Sequence, residues 1–158
     1  MEIRPEHLNP FLISSVHVFK QVCMLDPKIG KLQLAQSIPE ERQIYIIFGI
    51  TGEITGQVVL IFNEEVAKKI ASAMMCGMEV NSLDEMARSA LSELGNMIMG
   101  NAATILADDN ILIDITPPAL GEGQVVLTAP EIRTLQVPVD LGIGDLQVCF
   151  MLKFANKD

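Results

Sequence analysis

Between Leu146 and Phe154 the side chains alternate without a break. Leu146, Val148, Phe150, Leu152 and Phe154 fall on one side, and Gln147, Cys149, Met151 and Lys153 on the other. A period of two held this long specifies a strand with one face turned to a core. A second run, Ile44, Ile46, Phe48 and Ile50, has Tyr45 and Ile47 interleaved. Both of its faces are therefore apolar, which places it inside a sheet and covered on both sides. Thr51-Gly52-Glu53 then turns the chain into Ile54 to Phe62, predicting an antiparallel hairpin.

A sheet of this kind needs a second layer, and the sequence supplies helices. Asn9 before Pro10 reads as an N-cap with proline at the first helical position, opening a helix to about Met24. Asp26-Pro27 and Gly30 end it, and a short strand near Leu32 to Gln36 follows. Asn63, with Glu64 and Glu65 in the next turn, caps a helix that Gly77 stops. Ser82 and Glu85 form a Ser-x-x-Glu capping box for a helix that runs without proline to about Ala107. Asp108-Asp109-Asn110 breaks that helix. Strand signals return at Ile111 to Ile115, at Gln124 to Leu127, and at Leu135, Val137 and Val139. Pro138 puts the last of these at an edge or near its end.

The element order predicts one α+β domain spanning residues 1–158, an antiparallel or mixed sheet packed with long helices. Gln57-Val58 and Gln147-Val148 hold similar places in their strands, as a duplicated helix-plus-strands unit would give.

Composition narrows the function. A net charge of −9 disfavours nucleic acid and anionic membranes, both of which call for a basic surface. No apolar run reaches the ~18–20 residues of a membrane span, and the N-terminal stretch does not read as a signal peptide. Cys23, Cys76 and Cys149 are widely spaced and odd in number. That pattern fits reduced thiols in the cytoplasm better than disulfides or a zinc site. His7 and His17 have no carboxylate or cysteine at metal-ligand spacing, so no metal is expected. The nine methionines read as core filler.

The helix after Ser82 carries the chemistry. On a wheel of ~100° per residue, Met86, Ala87, Ala90, Leu91, Leu94, Met97 and Ile98 form an apolar arc, taken as the buried face. Opposite lie Glu85, Ser89, Ser92, Glu93, Asn96, Gly100 and Ala103. Glu93 and Asn96 are three apart and therefore neighbours on the surface. A polar helix face is usually only solvated. Here, however, small residues surround the pair, and Asn96 and Gly100 each cost a few tenths to ~1 kcal/mol of helix propensity relative to Ala. An asparagine amide donates and accepts hydrogen bonds at once, which suits it to holding a water against an electrophile. A glutamate can pair with a cation on a partner. With no nucleophile and no metal cage, the pair amounts to half an active site.

The run Leu83-Asp84-Glu85, then Ser89-Ala90-Leu91-Ser92-Glu93-Leu94-Gly95-Asn96, followed by Asp114-Ile115-Thr116-Pro117-Pro118, resembles the CheC/CheX/FliY family of chemotaxis phosphatases. Ser-x3-Glu-x2-Asn with a later proline is that family's signature. Gly49-Ile50-Thr51-Gly52 and Ser72 to Glu79 are also similar to CheX. CheC-like members carry two such motifs and CheX-like members one. The other Glu-x-x-Asn here is Glu6 to Asn9, and Pro10 after it argues against helical geometry, so a single motif points to CheX. FliY carries a further domain, for which there is no room.

The resemblance implies a CheC-like fold, a homodimer, and a phosphatase acting on the aspartyl-phosphate of a CheY-like response regulator. It assigns Asn96 to orient the attacking water and Glu93 to pair with the regulator's lysine. Mg²⁺ comes from the regulator, not from this chain. Ser89, Ser92, Gly100 and Pro118 shape the docking surface. The rival reading is a non-catalytic module of flagellar-switch type that binds a response regulator without hydrolysis.

Overall fold

The computed structural model describes residues 2–35, 43–124 and 133–155. Among the described residues three helices, α1 (Pro5–Cys23), α2 (Glu64–Met74) and α3 (Glu85–Asp108), lie with eight strands: β1 (Lys28–Ile29), β2 (Gln33–Leu34), β3 (Gln43–Gly52), β4 (Ile54–Asn63), β5 (Ile113–Ile115), β6 (Ala119–Gly123), β7 (Leu135–Asp140) and β8 (Asp145–Phe154). The strands make one sheet in the order β1-β7-β8-β4-β3-β5, with β2 also on β7 and β6 also on β3. Every described pairing is antiparallel.

The two hairpins meet along β4 and β8, with Val58 opposite Phe150 and Leu60 opposite Val148. Each half runs helix, two short strands, then hairpin. The short strands of one half pair with the hairpin of the other: β1 and β2 with β7, β5 and β6 with β3. The similarity of Gln57-Val58 to Gln147-Val148 thus extends to topology, with α2 inserted after the first half.

The alternation read in β3 and β8 sorts their residues onto two faces, although Tyr45 and Ile47 of β3, expected to be covered, are only half-buried. Ile44, Ile46, Phe48, Ile50, Val148, Phe150 and Leu152 join Phe11, Phe19, Leu91, Leu94 and Ile98 in the main core. Phe11 meets Phe150 edge-on at 5.7 Å. The other face gathers Val59, Ile61, Cys149 and Met151, with Tyr45 and Ile47 against them. Ser14, buried in α1, donates from Oγ to the Ile98 carbonyl at 2.6 Å and ties α1 to α3.

Several boundaries differ from the sequence reading. The first helix starts at Pro5, after Arg4, rather than at Asn9. Pro5 sits at the first position, where its missing N–H is free of cost. The Arg4 N–H donates to His7 Nδ1 at 2.8 Å. Pro10 then lies inside the helix and buried. Glu6 and Asn9 are therefore both helical and exposed, so the geometric objection to that pair does not hold. At α3 the cap is Asp84, not Ser82, and its Oδ1 accepts from Ala87 N–H at 2.9 Å. The Asn63 cap is as read, accepting from Val66 N–H at 2.8 Å.

β6 was not foreseen, because Ala-Leu-Gly-Glu-Gly carries no strand signal of its own; it forms by pairing with β3. The expected strand from Gln124 to Leu127 has Gln124 outside any strand and its remainder outside the described residues, as is the end of the one expected to Gln36. Pro138 is flanked by β8 and by β1 and β2, and its carbonyl accepts from Gly30 N–H at 2.7 Å. A residue's N–H and C=O point to the same side of a strand. The missing N–H therefore faces Gly30, just past β1, so the proline leaves that pair with one bond and costs β7 nothing on the β8 side.

Burial raises the thiol of Cys23 from 9.0 to about 11 and that of Cys149 to about 12, whereas Cys76 is exposed. The folded state holds both protons more tightly than the unfolded chain, so stability falls as the pH rises past 9.0. A thiol reagent at neutral pH is expected to label Cys76 in the native protein and to reach Cys23 and Cys149 only on unfolding. Mass spectrometry with and without urea checks this, and fast native labelling of Cys149 would contradict the burial.

Candidate functional site

The site is built on α3. Its buried face is Ala87, Leu91, Leu94, Gly95, Ile98, Met99, Ala102 and Leu106. This face is rotated from the one read off the wheel: Met86, assigned there to the core, is 60% exposed. Small residues account for the error, since Gly95 and Ala102 make contact without contributing hydrophobic weight. A Cβ on Gly95 would lie 2.5 Å from Cζ of Phe48. The helix backbone therefore rests directly on that ring.

This seating turns Ser89, Glu93, Asn96 and Gly100 outward, all exposed. They follow one another three or four residues apart, so they form a single stripe along the helix. Glu93 and Asn96 differ by about 4.5 Å along the axis. Among the described residues neither side chain forms a hydrogen bond or an ion pair within the chain. The carboxylate and the amide are both free for an external partner. Arg88, the nearest cation on the helix, is engaged with Glu122 of β6 at 3.0 Å.

Beside Asn96 a groove of about 380 Å³ opens between α3 and the segment joining β5 to β6. Asn96, Met99 and Gly100 form one wall; Ile115, Thr116, Pro117 and Pro118 form the other. Of the residues expected at the site, Asn96, Gly100 and Pro118 thus meet in one place. Ser89 and Glu93 continue the same stripe away from the groove. Ser92 is half-buried and lines no part of it.

Thr116, quoted in the sequence only as part of the run to Pro118, has a role that the sequence reading did not assign. Its backbone N–H donates to the Gly49 carbonyl at 2.9 Å, and its Oγ1 accepts from Gly49 N–H at 2.8 Å. A Cβ on Gly49 would meet Thr116 Cγ2 at 2.9 Å. Gly49 therefore lets the strand after α3 lie close over β3, and this clamp sets the two prolines beside Asn96. Behind it, Glu53 Oε2 accepts from Leu112 N–H at 2.6 Å and secures the turn out of α3. The clamp gives Gly49, the first residue of the Gly49–Gly52 segment, a physical role.

Among the described residues no group of three or more His, Cys, Asp or Glu side chains is placed to hold a metal ion. No described helix is long and apolar enough to cross a membrane.

The family model for the chemotaxis phosphatase CheX matches residues 44–134, which contain β3 from its second residue, β4, α2, α3 and the groove. The chain belongs to the CheX family. The CheY-P phosphatase CheX of Thermotoga maritima is 42% identical over 114 residues, covering 72% of this chain and 74% of that one. A CheC-like superfamily protein from Shewanella sp. PV-4 superposes with a TM-score of 0.85 at 23% identity, over 96% of this chain and 99% of the other. A chain of the CheX–CheY–BeF₃–Mg²⁺ complex from Borrelia burgdorferi gives a TM-score of 0.79 at 26% identity, over 95% of this chain and 99% of that one. The fold is thus CheC-like, and the family is one of phosphatases.

Gly95→Ala is expected to destabilise the protein by about 1–3 kcal/mol through overpacking against Phe48. Thermal unfolding should show a fall of roughly 2–10 °C. A melting temperature equal to wild type would mean that α3 is not seated on that ring.

Proposed function

We propose that this CheX-family phosphatase hydrolyses the aspartyl-phosphate of a CheY-like response regulator, with Asn96 and Glu93 as the groups it contributes. The observation that carries this reading is the exposed, unpartnered Glu93–Asn96 pair on one face of α3. Aspartyl-phosphate hydrolysis needs a water held in line with phosphorus, and the phosphoryl charge neutralised by a cation. The regulator supplies the second requirement from its own site, through Mg²⁺ and a lysine. Asn96 supplies the first: its carbonyl oxygen accepts a hydrogen bond from the water while its NH₂ donates one to a phosphoryl oxygen. Glu93, about one turn away, pairs with the regulator's lysine and fixes the register of docking. No proton needs to be taken by Asn96, and the rate gain comes from positioning.

The docking surface runs along the stripe from Ser89 past Glu93 to Gly100, with Pro118 across the groove and Ser92 at its margin. Residues 1–158 act as one domain, supported by one contiguous main core. The protein works as a cytoplasmic homodimer, as its resemblance to CheX implies. Free cysteines agree with a reducing compartment. The sheet margins available for dimer contact are β1 and β2 on one side, β5 and β6 on the other.

Loss of phosphoryl label from a Mg²⁺-loaded, aspartate-phosphorylated regulator tests the reading. Wild type should accelerate it. Asn96→Ala should lose on the order of 10²–10³ in kcat, as other oriented hydrogen-bonding groups do. Glu93→Ala should raise KM more than it lowers kcat. Binding without acceleration, equal in wild type and variants, would leave a binding module of flagellar-switch type.

A further inference from the structure

The groove beside Asn96 is larger than orienting one water requires, and its walls are of the wrong chemistry for that task. Met99, Ile115, Pro117 and Pro118 present carbon. Thr116 has its hydroxyl committed to Gly49 N–H. The polar end is Asn96 itself. A volume of about 380 Å³ leaves ample room for a side chain of a partner to enter beside the amide.

Gly100 points the same way. It lies four residues after Asn96, on the same face and exposed. A Cβ built there meets nothing within 4 Å. Among the described residues nothing therefore requires glycine here, although glycine in mid-helix costs about 1 kcal/mol relative to alanine. Gly95, five residues earlier, is different, since Phe48 leaves no room for a side chain there. The space kept open at Gly100 faces outward, into the groove.

We propose that the groove seats one apolar side chain of the response regulator, from the surface bordering its phosphorylated aspartate, and that Gly100 leaves the room for it. The inference rests on the function proposed above. If Asn96 enters the regulator's site, the regulator's adjoining surface lies over Gly100, about 6 Å further along the helix axis. Continuity with the catalytic amide thus selects the occupant. The polar pair selects the phosphorylated state, and the apolar seat supplies contact area that neither Glu93 nor Asn96 provides.

The test compares Gly100→Ala and Gly100→Leu with wild type and Asn96→Ala. Four quantities are read: melting temperature, oligomeric state by sedimentation, affinity for regulator activated with beryllofluoride and Mg²⁺, and the kcat–KM split. Both Gly100 variants should fold with an unchanged or raised melting temperature. Gly100→Leu should weaken binding and raise KM by about 10–100-fold, the equivalent of losing one buried apolar side chain, with kcat close to wild type. Gly100→Ala should fall between. Asn96→Ala should give the opposite pattern, with binding kept and kcat lost.

Wild-type activity and affinity in Gly100→Leu would overturn the proposal while leaving the phosphatase reading in place. Wild type that binds but does not hydrolyse, with binding lost in Gly100→Leu, would uphold the seat and overturn the chemistry. Dissociation of a dimer by Gly100→Leu would reassign the groove to a second copy of the chain and overturn the proposal. Wild type that neither binds nor hydrolyses would overturn both.

Discussion

The seating of α3 on the sheet rests on a contact between backbone and ring. Gly95 has no side chain, and the ring of Phe48 occupies the space where one would stand. This contact fixes the height of α3 above β3 and its rotation about its own axis. Rotation matters most, because Glu93 and Asn96 flank Gly95 in sequence and must point away from it. With Gly95 inward, the helix geometry turns Glu93, Asn96 and Gly100 outward together. Ser14 adds a tether from α1 to the Ile98 carbonyl at 2.6 Å, just past the same turn. The site therefore lies on a helix whose opposite face is held by the core, which suits a task that depends on position.

The second wall of the groove is set independently. Gly49 lets Thr116 close over β3, and the two hydrogen bonds between them hold Pro117 and Pro118 across from Asn96. One glycine under the helix and one under the loop thus place the two sides, and both act on the same strand. β3 is the common reference: Phe48 faces the helix, and Gly49, on the other side of the pleat, takes the loop. A side chain at either position would move one wall relative to the other. The proposed chemistry is sensitive to this, since misplacement of a water-orienting group by even 1 Å is costly.

Much of this was legible in the sequence where a pattern repeats. The alternation from Leu146 to Phe154 and from Ile44 to Ile50 gave strands, faces and the hairpin. The Ser-x3-Glu-x2-Asn spacing gave the stripe on α3, and the resemblance to CheX gave the family to which the chain belongs. What was not legible depends on contacts between distant segments. β6 has no strand propensity and exists by pairing with β3. The true buried face of α3 was hidden because Gly95 and Ala102 carry little hydrophobic weight. Asp84 displaced Ser82 as the cap because its carboxylate reaches Ala87 N–H. Pro10 misled for a related reason: a better start, Pro5, lay upstream, and burial of Pro10 and Phe11 carried the helix through. Thr116 had no local signal, since its role exists only against Gly49.

A structure of the chain bound to a response regulator activated with beryllofluoride and Mg²⁺ would test the central claim most directly. The account predicts the amide of Asn96 inside the regulator's site, within about 2.7–3.2 Å of a beryllofluoride fluorine or of a water in line with the bond from the aspartate oxygen to beryllium, and Glu93 paired with the regulator's lysine. A complex docked through another face, with Asn96 left in solvent, would contradict it.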